Sequence, residues 1–167
     1  MGTTTRWERL YAEHADRVFA FTVRRVPFED VPDIVAETFV VVGRREGDVP
    51  EDALPWLYAV ARNVIANHRR SAARRQALRG RLKAAGVPTP EVPAEFEAVE
   101  SREQVVEALA LLPAAEREAL LLVAWEDLDP VRGAKVLGCS PGAFSVRVHR
   151  AKRRLRESLG SLPKEES

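Results

Sequence analysis

The chain has 167 residues, of which 46% are hydrophobic, 31% charged and 7% aromatic, enough for one ordinary domain or two small ones and too regular in composition for a collagen-like or wholly disordered protein. A lone cysteine, Cys139, excludes an internal disulfide framework; with no apolar run near the ~20 residues of a membrane span and no apolar core behind Met1-Gly2-Thr3 for a signal peptide, a soluble cytoplasmic protein is expected. The net charge of +1 conceals two acid-free blocks, residues 53–90 and 130–156, each with 8 basic side chains, and such stretches are electrostatic footprints for polyanions.

Taken in chain order, Trp7, Leu10, Tyr11, Val18 and Phe21 recur at spacings that suit one face of a first helix. After the turn-like Val26-Pro27-Phe28-Glu29-Asp30, a second helix is predicted from about Pro32 to Arg45, with proline tolerated in its first turn. Val35, Phe39 and Val42 form its apolar face, and Asp33 and Glu37 pair at i,i+4 on another. Gly47 to Pro50 breaks the chain. A third helix starts near Asp52 to Pro55, carries Trp56, Leu57, Val60, Val64 and Ile65, and runs into the first basic block. Trp56 is read as core, with stacking on a nucleic-acid base as the alternative. Gly86 to Pro93 holds three prolines and a glycine, which remove backbone donors and push their predecessors out of the helical region, so an interdomain linker is expected there.

The C-terminal part is predicted to contain helices over Glu103–Leu112 and Ala114–Trp125, with Pro113 at the join. Asp129 can cap a short helix that has Pro130 at its first position and ends at Gly138, a residue suited to a left-handed cap. Ser140 then caps a last helix that begins at Pro141 and reaches about Leu159. A short helix, a tight glycine turn and a longer capped helix make a helix-turn-helix. Phe144, Val148, Ala151 and Leu155 form the buried stripe of the last helix. Ser145, Arg147 and His149 lie where donors reach base edges, with Arg150 alongside; Lys152, Arg153 and Arg154 are placed for phosphates. No strand pattern appears. The expected fold class is all-α, as two small helical domains spanning 1–85 and 101–160 around a Pro-rich linker at 86–100.

No catalytic constellation stands out. His14, His68 and His149 lack metal-ligand spacing, Cys139 has no partner cysteine, and neither a Walker-type nor a dinucleotide-type glycine loop is present. Neither an enzymatic activity nor a cofactor or metal is expected.

Four segments together resemble the extracytoplasmic-function (ECF) group of bacterial RNA polymerase sigma factors. Asp33-Ile34-Val35-Ala36-Glu37-Thr38-Phe39 is similar to the family's D-[IL]-V-Q-E-T-F, and Trp56-Leu57-Tyr58-Ala59-Val60-Ala61-Arg62-Asn63 to its W-L-x-x-I-A-R-N. Leu111-Leu112-Pro113 with Arg117-Glu118-Ala119-Leu120 resembles the start of region 4, and Leu137-Gly138-Cys139-Ser140 through Lys152 its helix-turn-helix. The resemblance covers about residues 7–159. It implies a region-2 domain, a linker and a region-4 domain, and a protein that binds core polymerase, recognises promoter DNA and helps open it.

Carried over residue by residue, the resemblance implies that Asp33, Glu37, Thr38 and Val41 meet the clamp of the largest polymerase subunit. Arg62 and Asn63 would read the melted minus-ten strand, with Arg69 and Arg70 on its backbone, and the second basic block would bind the duplex minus-thirty-five element. An anti-sigma factor is an implied regulator. Three departures stand out: Gly43 replaces a common aromatic and is expected to weaken region-2 packing, Asp127-Leu128-Asp129 replaces the usual G-L-S/T opening, and Gly133 replaces a larger residue, which is expected to remove packing and lower helix propensity. The competing reading is a conventional helix-turn-helix repressor or activator whose first 85 residues dimerise or sense a ligand; it would bind duplex alone and needs a self-complementary N-terminal surface.

Overall fold

The computed structural model describes residues 4–79 and 102–160, which belong to two compact units, Met1–Thr89 and Pro90–Ser167. Seven α-helices and two single-turn 3₁₀ segments make up the regular structure of these residues. The expected linker at 86–100 lies outside the described residues, as do Arg81 and Lys83.

The N-terminal unit is three mutually packed helices, α1 (Arg6–Val23), α2 (Val31–Arg44) and α3 (Ala53–Leu78). A capping box starts α1: the Thr5 hydroxyl accepts from the Glu8 amide at 3.2 Å, and the Glu8 carboxylate accepts from the Thr5 amide at 2.7 Å. The 3₁₀ turn Phe28–Asp30 leads into α2, where Pro32 occupies the first turn and its missing N–H removes no helical bond. Val18, Phe21, Val31, Ile34, Phe39, Val42 and Leu57 are fully buried or nearly so, and the Phe21 and Tyr58 rings stack at 4.7 Å. Only the first half of α3 contributes to this core. Its second half, past Ile65, presents arginines to solvent.

Gly43 departs from the expectation of weakened packing. A Cβ there would lie 3.1 Å from Trp7 Cδ1 and 3.2 Å from Trp7 Nε1, because the indole of Trp7 already fills that side of α2. The bare glycine lets Trp7 Nε1 donate to the Phe39 carbonyl at 2.9 Å, and the indole stacks on Tyr11 at 5.5 Å. The aromatic comes from α1.

The C-terminal unit holds α4 (Arg102–Ala110), α5 (Ala114–Ala124), α6 (Pro130–Leu137) and α7 (Pro141–Gly160). Val105, Ala108, Leu109, Leu112, Leu120, Ala151 and Leu155 form one buried cluster, with Leu159 against its edge. The predicted punctuation is present. The Asp129 carboxylate accepts from the Arg132 amide at 2.9 Å, Gly138 is left-handed at φ 64°, and the Ser140 hydroxyl accepts from the Ala143 amide at 3.1 Å. Asp127 sits at φ 51° and turns the chain so that Leu128 is buried, a backbone region that aspartate tolerates better than most residues.

Gly133 is a second correction. An ideal Cβ there would come within 2.2 Å of Phe144 Cζ, so the glycine admits the fully buried Phe144 ring against the backbone of α6. The expected loss of packing is instead the condition for it. Burying such a side chain contributes about 1.5–3 kcal/mol, more than the roughly 1 kcal/mol of helix propensity that glycine forfeits.

Candidate functional site

The last helix sorts into faces as its spacing predicts. Phe144, Ala151 and Leu155 are buried and Val148 is half-buried, while Ser145, Val146, His149, Arg150 and Arg153 are exposed. At the α-helical 100° per residue, Gly142, Val146, His149 and Arg153 fall within about 60° of one another, which defines the centre of the solvent face. Arg147 and Lys152 are half-buried at its edges.

Arg154 also pairs within the unit. Its Nε lies 3.0 Å from Glu116 Oε2, and Glu116 is buried on α5. A buried carboxylate needs its counter-charge, so Arg154 links α7 to α5 by an ion pair while its side chain stays half exposed. Arg153 makes only a loose exposed pair, 3.8 Å to Glu157, which costs little to exchange for a phosphate.

On α2, Asp33 and Glu37 are exposed on one face, and the apolar residue beside them is Val40, 50% accessible; Val41 is half-buried. Thr38 is fully buried and its hydroxyl donates to the Ile34 carbonyl at 2.7 Å. It is therefore corrected from a docking residue to a core residue. Val40 was missed, although its spacing of i+3 from Glu37 and i+7 from Asp33 places it on their face. Thr38→Val keeps the shape and removes one satisfied donor, so a stability loss of about 0.5–1.5 kcal/mol is expected, with polymerase affinity unchanged in a binding titration.

On α3, Arg62 and Asn63 are exposed on the solvent side of the core half, and Arg69 and Arg70 recur seven residues later on the same lines. They are not equivalent. Arg69 Nη2 donates to the Arg25 carbonyl at 2.7 Å, tying α3 to the residues that end α1, while Arg25 donates to the Phe21 carbonyl and lies 3.6 Å over the Phe21 ring. Arg69 thus supports the fold as well as lying in the basic stripe. Arg70 bonds the neighbouring Asn67 side chain, and Arg74 reaches Ser71, local contacts that leave both heads at the surface. Trp56 is half-buried, with the Arg45 guanidinium 5.4 Å from its ring.

Among the described residues, no helix is long and apolar enough to cross a membrane and no group of three or more His, Cys, Asp or Glu side chains could hold a metal ion. Desolvation holds the half-buried His14 below the usual imidazole range, partly opposed by the charge of Glu13.

Residues 102–155 match the family described as sigma-70, region 4. The chain is 32% identical over 157 residues to the ECF RNA polymerase sigma factor SigL of Mycobacterium tuberculosis, covering 92% of this chain and 88% of that protein. It is also 32% identical over 165 residues to the RNA polymerase sigma factor CarQ of Myxococcus xanthus, covering 96% and 93%. In fold it is similar to the sigma factor RpoE of Bartonella quintana solved with the anti-sigma factor NepR, with TM-score 0.66, 22% identity and coverage of 94% and 98%. CnrH in complex with the cytosolic domain of CnrY gives TM-score 0.62 at 23% identity, covering 94% and 89%. With two all-helical units, a capped helix-turn-helix behind a carboxylate-free basic face, and relatives matched over nearly their whole length, the chain belongs to the ECF sigma factors of bacterial RNA polymerase.

Proposed function

We propose that this sigma factor divides its work between its two units, 1–85 binding core polymerase and the minus-ten element and 101–160 binding the minus-thirty-five element, with α7 lying in the duplex major groove. One observation carries the reading: the exposed face of α7 holds Ser145, His149, Arg150 and Arg153 and has no carboxylate before Glu157, directly after a short helix closed by a left-handed glycine. Arg150 is placed to fork onto a guanine edge and Arg153 to meet a phosphate. Arg147 and Lys152 flank the groove from the edges.

In the N-terminal unit, Asp33, Glu37 and Val40 form a docking face of mixed acidic and apolar character for the polymerase clamp. Arg62 and Asn63 face the melted strand and Arg70 and Arg74 its backbone, since opened bases expose edges and π-faces that a basic helix can capture. The protein's own part is binding rather than bond-making, in the cytoplasm where polymerase works. An anti-sigma protein is the proposed regulator, supported by the NepR complex of the Bartonella relative.

The test is the full chain assembled with core polymerase on duplex promoter DNA. Arg150→Ala should cost about 1–3 kcal/mol and relax preference at one upstream position, whereas Arg153→Ala should weaken all sequences alike and lower the salt slope by about one. Identical profiles for the two variants would overturn the assignment of this face. A chain that fails to bind core polymerase yet holds duplex tightly alone would return the helix-turn-helix regulator.

A further inference from the structure

Val146 stands at the centre of the exposed face of α7 and is 47% accessible, flanked by Ser145, His149 and Arg150. Nothing in the unit's own packing explains a valine there. It lies across the helix from the buried stripe of Phe144, Ala151 and Leu155, and a β-branched residue lowers helix propensity relative to the alanine, lysine or arginine that an exposed position accepts. Its two methyls carry no donor and no acceptor, in a stretch, residues 130–156, that is acid-free and holds 8 basic side chains.

We infer that Val146 is a specificity residue that reads the C5-methyl group of a thymine in the upstream promoter element, an inference that rests on α7 being the groove helix. In the major groove a guanine offers acceptors, a cytosine a donor and an adenine both; each would lose water against a valine and gain no hydrogen bond in return. Thymine alone offers an apolar group at that height. Two features prepare the contact. One turn earlier, Gly142 has no side chain, and a Cβ built there meets nothing within 4 Å, so this end of the helix presents bare backbone and can approach the groove floor closely. The valine itself is held to essentially one rotamer within a helix, so its methyls are already positioned before DNA arrives. Ser145, His149 and Arg150 supply the polar contacts around it, and Val146 supplies discrimination by excluding polar edges.

The experiment uses the full chain bound to core polymerase and a duplex library randomised over the upstream element, prepared once with dT and once with dU at the randomised positions. Wild-type holoenzyme should select thymine at one position and discriminate it from uracil there by about fourfold, the value of one buried methyl. Val146→Ala should abolish that thymine-over-uracil ratio while leaving the preferences at other positions in place. His149→Ala and Arg150→Ala should alter those other positions and keep the ratio. A wild-type ratio of one at every position, or a ratio that persists in Val146→Ala, would overturn the proposal while His149→Ala and Arg150→Ala still change the profile. If none of the three variants changes the profile, the groove reading of α7 falls with it.

Discussion

Asp33→Lys/Glu37→Lys is expected to lower the affinity of the chain for core RNA polymerase by about 100-fold, because two like-charge juxtapositions replace attraction across one face and such contacts cost several kcal/mol. Both carboxylates are exposed on α2 and neither takes part in the buried core. Asp33 also stands in the first turn of α2, where a negative charge complements the helix dipole, so its reversal alone costs about 0.3–1 kcal/mol of stability. The neutral pair Asp33→Asn/Glu37→Gln separates the two effects. It should retain the fold, lose a smaller part of the affinity and flatten its salt dependence. The measurement is a titration of labelled core polymerase at two ionic strengths, with circular dichroism on each variant. An affinity unchanged by the double reversal in a folded protein would remove α2 from the docking surface.

Gly133→Ala should destabilise the C-terminal unit by about 1–3 kcal/mol, the usual cost of overpacking. The sign is the informative part. Helix propensity alone favours alanine by about 1 kcal/mol, so a purely local view expects the substitution to stabilise. The added methyl, however, would overlap the Phe144 ring, whose Cε2 and Cε1 lie 2.6 and 2.8 Å from an ideal Cβ in addition to the closer Cζ. Phe144 is fully buried at the start of α7 and has nowhere to retreat without moving the helix-turn-helix. Hydrogen exchange resolved to α6 and α7 reports this unit separately from the N-terminal one. Shortening the ring in Gly133→Ala/Phe144→Leu should recover part of the loss, a coupling that neither single variant shows. A more protected α6 in Gly133→Ala would show that the ring is not wedged there.

The helices and their ends were legible because their signals are local. Asp129, Gly138 and Ser140 each act within three residues of where they stand, and each is found in its expected conformation or hydrogen bond. The faces of α7 followed from periodicity alone. What escaped was every property set by a neighbour distant in sequence. Nothing near Arg154 indicates that Glu116, 38 positions earlier, is buried and takes its charge. Nothing near Arg69 points to the Arg25 carbonyl 44 residues away. Thr38 was expected at the clamp only through the resemblance, as a neighbour of Asp33 and Glu37, yet a threonine can satisfy its hydroxyl on its own helix and enter the core. Both glycine departures were misjudged for the same reason, since the volume that each leaves open is taken by a ring from another helix.

The junction of Trp7 and Gly43 shows what this means for comparing sigma factors position by position. One slot beside α2 is filled by one aromatic ring, delivered here from α1. An aromatic placed at 43 would need Trp7 to leave, and a small residue at 7 would leave the slot empty unless 43 grew to fill it. The two positions therefore share a single volume, and their substitutions are linked by a conservation of size rather than of identity.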